Sequence, residues 1–231
     1  MAVPLVNPFA RVSVVLRRKP DELGRRESRK TTQAANTPTT ARDATHHVNV
    51  ALVIGEPGTG KTTFANRLVE QGRHPRRRFF VCAPWGGFRG VNVGTAAELA
   101  RRPTWPPVSI LRGEPEHALD LAVRVGSTTV VVDEIERLAP ATVTRALPGS
   151  ALARVLHEGR HYRVFLLGTT QFPLSVSASL RDVAYWLFFF RVSDPYQLQY
   201  ISRRCGSQFA ARVAAHTGYV PLVWTPSGVA T

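Results

Sequence analysis

The chain has 231 residues, enough for one sizeable core plus a tail, and 44% of them are hydrophobic, as in an ordinary globular protein. Lys and Arg number 30 against 16 Asp and Glu, a formal net charge of +14. That excess points to a polyanionic partner, with nucleic acid ahead of an anionic membrane surface. Two cysteines, Cys82 and Cys205, exclude a disulfide framework and read as reduced thiols of an intracellular protein.

Residues 1–47 are polar, charged and poor in periodic apolar positions, which predicts a flexible basic arm ahead of one domain over 48–231. Only "VSVVL" (12–16) within it suits a short strand. No signal-peptide apolar region is visible, and Asp21, Glu22, Glu27 and Asp43 argue against a transit peptide. The longest apolar run, "VAYWLFFF" (183–190), falls short of the ~18 residues of a membrane span.

From residue 48 strands and helices alternate. "VNVALVIG" reads as a buried strand, and "TTFANRLVEQG" as a helix stopped by Gly72. Strands follow at 78–84 and 107–113, with helices at 95–102 and 114–126. "STTVVVDEI" is a further buried strand, leading to a helix over 149–160 opened by Ser150. Next come a strand at 162–171, a short helix at 173–182 and the strand "VAYWLFFFRV". A helix at 194–206, with Asp194 as N-cap and Pro195 in its first position, precedes a last strand at 218–224. Pro221 assigns that strand to an edge. The alternation implies an α/β fold, a mainly parallel sheet with helices on both faces and ligands at the strands' carboxyl ends.

The first strand runs into "GEPGTGKT", in which Gly55, Gly60, Lys61 and Thr62 match the phosphate-loop pattern. Glycines let successive backbone N–H groups turn inward around phosphate oxygens, and the next helix adds its positive end. The nucleotide-binding stretch is therefore Gly55, Glu56, Pro57, Gly58, Thr59, Gly60, Lys61, Thr62 and Thr63. Lys61 is placed to reach the β- and γ-phosphates, and Thr62 to put its hydroxyl on Mg²⁺. A nucleoside triphosphate with Mg²⁺ is the expected ligand, and no guanine-reading Asn-Lys-x-Asp motif occurs.

"VVVDEIE" sets Asp133 and Glu134 at the end of a buried strand. An Asp there holds the magnesium, and the adjacent Glu acts as general base toward water. "VFLLGTTQFP" ends the following strand in polar residues, and Gln171 is placed to sense the γ-phosphate, with Thr169 or Thr170 as alternatives. Together "GEPGTGKT", "VVVDEIE", "GRHYRVFLLGTTQFP" and "SLRDVAYWLFFFRVSDPYQL" resemble the FtsK–HerA superfamily of DNA-pumping ATPases, over about residues 48–224. Within it the short chain is similar to the genome-packaging ATPases of tailless viruses with internal membranes. The resemblance implies a RecA-like P-loop NTPase core, a homo-oligomeric ring (a hexamer), ATP as the nucleotide cofactor and translocation of double-stranded DNA, while the residues themselves leave double- and single-stranded DNA both open. It also implies a place in the virion or host cytoplasm, with capsid or membrane proteins as further partners.

A ring ATPase completes its site with a neighbour's arginine. Arg160, Arg163 and Arg181 are the candidates, among which the sequence does not choose; the resemblance implies Arg181, which follows the Gln171 strand by one short helix. "RHPRRRFF" (73–80) and the arm's basic residues suit contact with a phosphate backbone or stay solvated. "APWGGFRG" (83–90) is either a loop offering Trp85 and Phe88 to DNA or a packed loop. Rival readings are an assembly ATPase of filamentous phage, which "GRHYR" also resembles, a P-loop kinase, and a non-enzymatic nucleic-acid-binding protein.

Overall fold

The computed structural model describes residues 49–143 and 146–230. The arm over 1–47 and the strand proposed at 12–16 lie outside them. Nine strands form one sheet in the order β3-β4-β2-β5-β6-β1-β7-β8-β9. They are β1 (Val50–Ile54), β2 (Arg78–Cys82), β3 (Val91–Gly94), β4 (Val108–Leu111), β5 (Thr128–Val132), β6 (Phe165–Thr170), β7 (Trp186–Phe189), β8 (Leu222–Thr225) and β9 (Gly228–Ala230). The seven from β3 to β7 pair in parallel, and β8 and β9 add an antiparallel hairpin.

The helices are α1 (Lys61–Gln71), α2 (Ala96–Ala100), α3 (Pro115–Val125), α4 (Ala151–Tyr162), α5 (Ala178–Val183), α6 (Pro195–Cys205) and α7 (Ser207–Ala214). They cover both faces unevenly. Val50, Leu52 and Ile54 of β1 point into a core shared with Leu99, Leu119, Leu156, Leu180, Ile201 and Phe209, so α2 to α7 all contribute to that side. Ala51 and Val53 point the other way, toward Ala65, Leu68 and Val69 of α1. A strand apolar on both faces can only be central, which puts β1 between β6 and β7. Burial of Leu68, worth about 1.5–3 kcal/mol, anchors the helix whose first turn carries Lys61 and Thr62.

Three local expectations change. The helix expected over 173–182 is a 3-10 turn (Pro173–Ser175) and then α5. Between them the backbone pairs instead with the segment after β5, through Ala141 N–H to Ser175 O (2.8 Å) and Ser177 N–H to Ala139 O (2.7 Å). Pro221 stands just before β8, where no ladder donor is lost, and the edge belongs to β9. β3, α7 and β9 were not anticipated; Gly206, at φ 95°, breaks α7 from α6. The caps at Ser150 and Asp194 form as expected, each accepting from the backbone N–H three residues on.

Candidate functional site

Strand order places the chemistry. β6 lies between β1, which carries the glycine-rich loop, and β5, which carries Asp133. The carboxyl ends of three adjacent strands thus converge, as expected for a ligand site of a parallel sheet. The loop is tied to both neighbours of β1. Gly55 N–H donates to Thr170 O (3.2 Å), and Glu56 N–H donates to Arg191 O (2.9 Å). A side chain at Gly55 would put its Cβ 2.6 Å from Phe190 Cβ, so glycine permits this approach to the β7 exit.

The Glu56 carboxylate turns away from the loop interior. It accepts from Arg191 Nε (2.9 Å), Ser193 N–H (2.7 Å) and Ser193 Oγ (2.5 Å). The Ser193 hydroxyl, foremost, holds this carboxyl below its usual range. Its carbonyl faces inward, accepting from Thr59 Oγ1 (2.7 Å) and Lys61 Nζ (2.8 Å). Gly60, at φ 98°, caps α1 without any side-chain hydrogen bond, so the first-turn N–H groups are left to an anion.

Burial pushes the Lys61 ammonium below its ordinary value, and Asp133, Glu136, Glu134 and Glu56 oppose that shift. The Lys61 cation and the carboxylates after β5 are therefore within electrostatic reach of one another. Burial likewise raises Asp133 and Glu136, against a hydrogen bond from Thr169 to the first. Thr169 is the junction of the site. Its hydroxyl donates to Asp133 Oδ1 (2.5 Å) and accepts the Glu134 N–H (3.2 Å). Glu134 sits in the left-handed region, φ 58°, an uncommon conformation for a side-chain-bearing residue. Its carboxylate accepts from the indole N–H of Trp85 at 3.0 Å. Gly168 admits this arrangement, because a Cβ there would lie 2.8 Å from Ile135 of the turn that follows Glu134.

The sequence-derived candidates divide accordingly. Lys61, Asp133 and Glu134 come together around the loop, with Thr62 on the first turn of α1. Thr169, named only as an alternative to Gln171, binds both acidic residues' atoms. Gln171 is the first residue beyond the strand, half-buried, and its side chain makes no hydrogen bond among the described residues. Arg181 is engaged within its own chain, its guanidinium 4.8 Å from the Tyr200 ring centre. Arg160 and Arg163 are exposed where α4 leads into β6, at the opposite end of the sheet from the loop.

Phe88 is buried in the core beside α1, while Trp85 is 77% exposed and donates its indole N–H to Glu134. Of the "RHPRRRFF" cluster, Arg77 is structural. Its guanidinium stacks 4.5 Å from the Phe165 ring centre and donates to Thr129 Oγ1 at 3.1 Å, and burial lowers its pKa to about 10. Sequence reasoning missed Glu136, Trp85 as a partner of Glu134, and the Arg191–Ser193 brace. The second acidic residue of "DEIE" was the available signal for Glu136.

Beside Asp133 opens a groove of about 680 Å³ that also reaches Cys82, Asn92, Arg112, Glu114 and Arg137. The donor set fits magnesium: a hydroxyl at Thr62 and a carboxylate at Asp133 are hard oxygen ligands, and burial of Asp133 adds demand for a cation. Among the described residues no group of three or more His, Cys, Asp or Glu is placed to hold a metal by itself. The remaining positions would fall to phosphate oxygens and water, the usual way of binding Mg²⁺.

Comparisons with known proteins agree with this geometry. The AAA domain family profile matches residues 44–174, more than half of the chain. No curated protein sequence matches it. Among solved structures, the fold is similar to the genome packaging NTPase B204 from Sulfolobus turreted icosahedral virus 2 in complex with sulfate, at TM-score 0.66 and 16% identity, covering 78% of this chain and 92% of that one. The DNA-packaging ATPase B204 from Sulfolobus Turreted Icosahedral Virus gives TM-score 0.62 at 17% identity over 78% and 93%. EccC (ATPases 2 and 3) of Thermomonospora curvata gives 0.54 at 18% identity over 80% and 37%. These likenesses are of fold. With its phosphate loop, acidic strand end and mainly parallel sheet, the chain belongs to the AAA domain family and has a RecA-like P-loop NTPase fold.

Proposed function

We propose that the protein is a magnesium-dependent ATPase that moves DNA, in the packaging of a viral genome. The observation that carries the hydrolytic part is the Thr169 junction, which fixes Asp133 and Glu134 together beside Lys61. Loop N–H groups and Lys61 bind the phosphates and stabilise their developing charge. Thr62 and Asp133 would hold Mg²⁺, which would supply positive charge against the phosphates. Glu134 accepts a proton from the attacking water. Gln171, whose amide makes no hydrogen bond among the described residues, reads the γ-phosphate from the tip of β6. A ring would add a neighbour's arginine, and with Arg181 stacked on Tyr200, Arg160 and Arg163 are the exposed candidates.

The DNA part rests on the net charge of +14 and on likeness to proteins described as packaging ATPases. It is tested by displacement of a third strand from a DNA triplex. ATP-dependent displacement by the wild type, absent with Lys61→Ala, is expected; ATP consumption with no displacement would sink the translocation reading.

A further inference from the structure

The hydrolytic groups all lie on one side of the phosphate loop. Asp133 and Glu134 follow β5 and Thr169 ends β6, whereas β7 and β8 flank β1 on the other side. A triphosphate whose terminal group meets Lys61 and these carboxylates must send its nucleoside toward β7 and β8. The segment entering β8 presents an aromatic ring there. Tyr219 is 75% exposed, yet a Cβ on Gly60, the last loop glycine, would lie 3.5 Å from its Cδ1. Beside it is His216, half-buried against Phe190 with ring centres 6.4 Å apart. His216 Nε2 is buried and has no hydrogen-bond partner among the described residues. Gly218 brings the chain over this imidazole, since a Cβ there would lie 3.2 Å from His216 Cε1. A buried ring nitrogen without a partner is costly unless a ligand completes it.

Resting on the ATPase reading, we infer that Tyr219 and His216 form the nucleobase subsite: the Tyr219 ring stacks on a purine and His216 Nε2 hydrogen-bonds its edge. Stacking supplies affinity for any base, and the imidazole supplies the choice between purines. The test is calorimetric titration of the full chain with ATP, GTP and inorganic tripolyphosphate, which has the phosphates without the base. Tyr219→Ala should weaken ATP at least about fivefold, as loss of one stacked base does, and leave tripolyphosphate within about twofold. Tyr219→Trp should retain ATP affinity, and His216→Ala should narrow the ATP-to-GTP ratio. ATP and tripolyphosphate losing affinity equally in Tyr219→Ala would overturn the inference, because the ring would then support the loop alone. Undiminished ATP binding in that variant, or an unmoved ATP-to-GTP ratio in His216→Ala, would overturn it too. Wild type that binds neither ATP nor tripolyphosphate would defeat the phosphate-loop reading itself, a distinguishable failure.

Discussion

Removing the Thr169 hydroxyl should disable hydrolysis without unfolding the protein. Thr169→Val keeps the shape of a residue 1% exposed on a central strand. It deletes one bond to a carboxylate and one from a backbone N–H. A hydrogen bond to a charged group is worth about 1.5–3 kcal/mol and a neutral one about 0.5–1.5 kcal/mol. If half of that total acts on the placement of Asp133 and Glu134, turnover falls by roughly fivefold to fiftyfold. Direction in pH follows as well. The Thr169 bond lowers the Asp133 pKa against the burial that raises it, so its loss lets that pKa climb further. The acid limb of the pH–rate profile should shift to higher pH, while Thr169→Ser restores both rate and limb. Turnover within twofold of wild type, with the limb unmoved, would refute the role given to Thr169.

Three other outcomes follow. Trp85→Phe frees the Glu134 carboxylate from its indole partner, and turnover without DNA should rise a few-fold, the scale of one neutral-donor bond; steady-state assays on the two proteins decide it. Burial raises the Glu136 pKa, so the native state carries the full cost of an ionised buried carboxylate above that pKa, and the cost fades as pH falls from there to the ordinary carboxylate value. Glu136→Gln should therefore raise Tm near neutral pH, and the gain should fade on acidification toward the ordinary carboxylate range, as followed by thermal melts across pH. Arg77→Ala removes both the stack on Phe165 and the bond to Thr129, and should cost about 1–3 kcal/mol in denaturant unfolding, whereas Arg73→Ala and Arg76→Ala, both exposed, should cost under about 0.5 kcal/mol.

Periodicity and caps made most elements legible. The double-faced apolar run of β1, Ser150 and Asp194 each needed only local information. What failed was non-local. The 173–182 stretch has helical composition, but its middle is drawn into pairing with residues 139–141, a contact the local pattern does not encode. Pro221 was read correctly as incompatible with a ladder interior, yet the short β9 beyond it moved the edge. In the site, the phosphate loop and the acidic pair were visible because their spacing is dictated by phosphate geometry. Thr169 against Gln171 depended on the register of β6 against β5, in which Val132 pairs with Gly168 and the next residues, Asp133 and Thr169, come level. The two roles of arginine, solvated or stacked, have the same one-letter code; only Phe165 beneath Arg77 and Tyr200 beneath Arg181 separate them.

The most direct measurement is ATP hydrolysis by the purified chain, with Mg²⁺, in the presence and absence of double-stranded DNA, against Glu134→Gln. The account predicts turnover that rises several-fold with DNA and vanishes in the variant. Turnover indifferent to DNA would contradict the motor reading, and turnover surviving in Glu134→Gln would contradict the assignment of the general base.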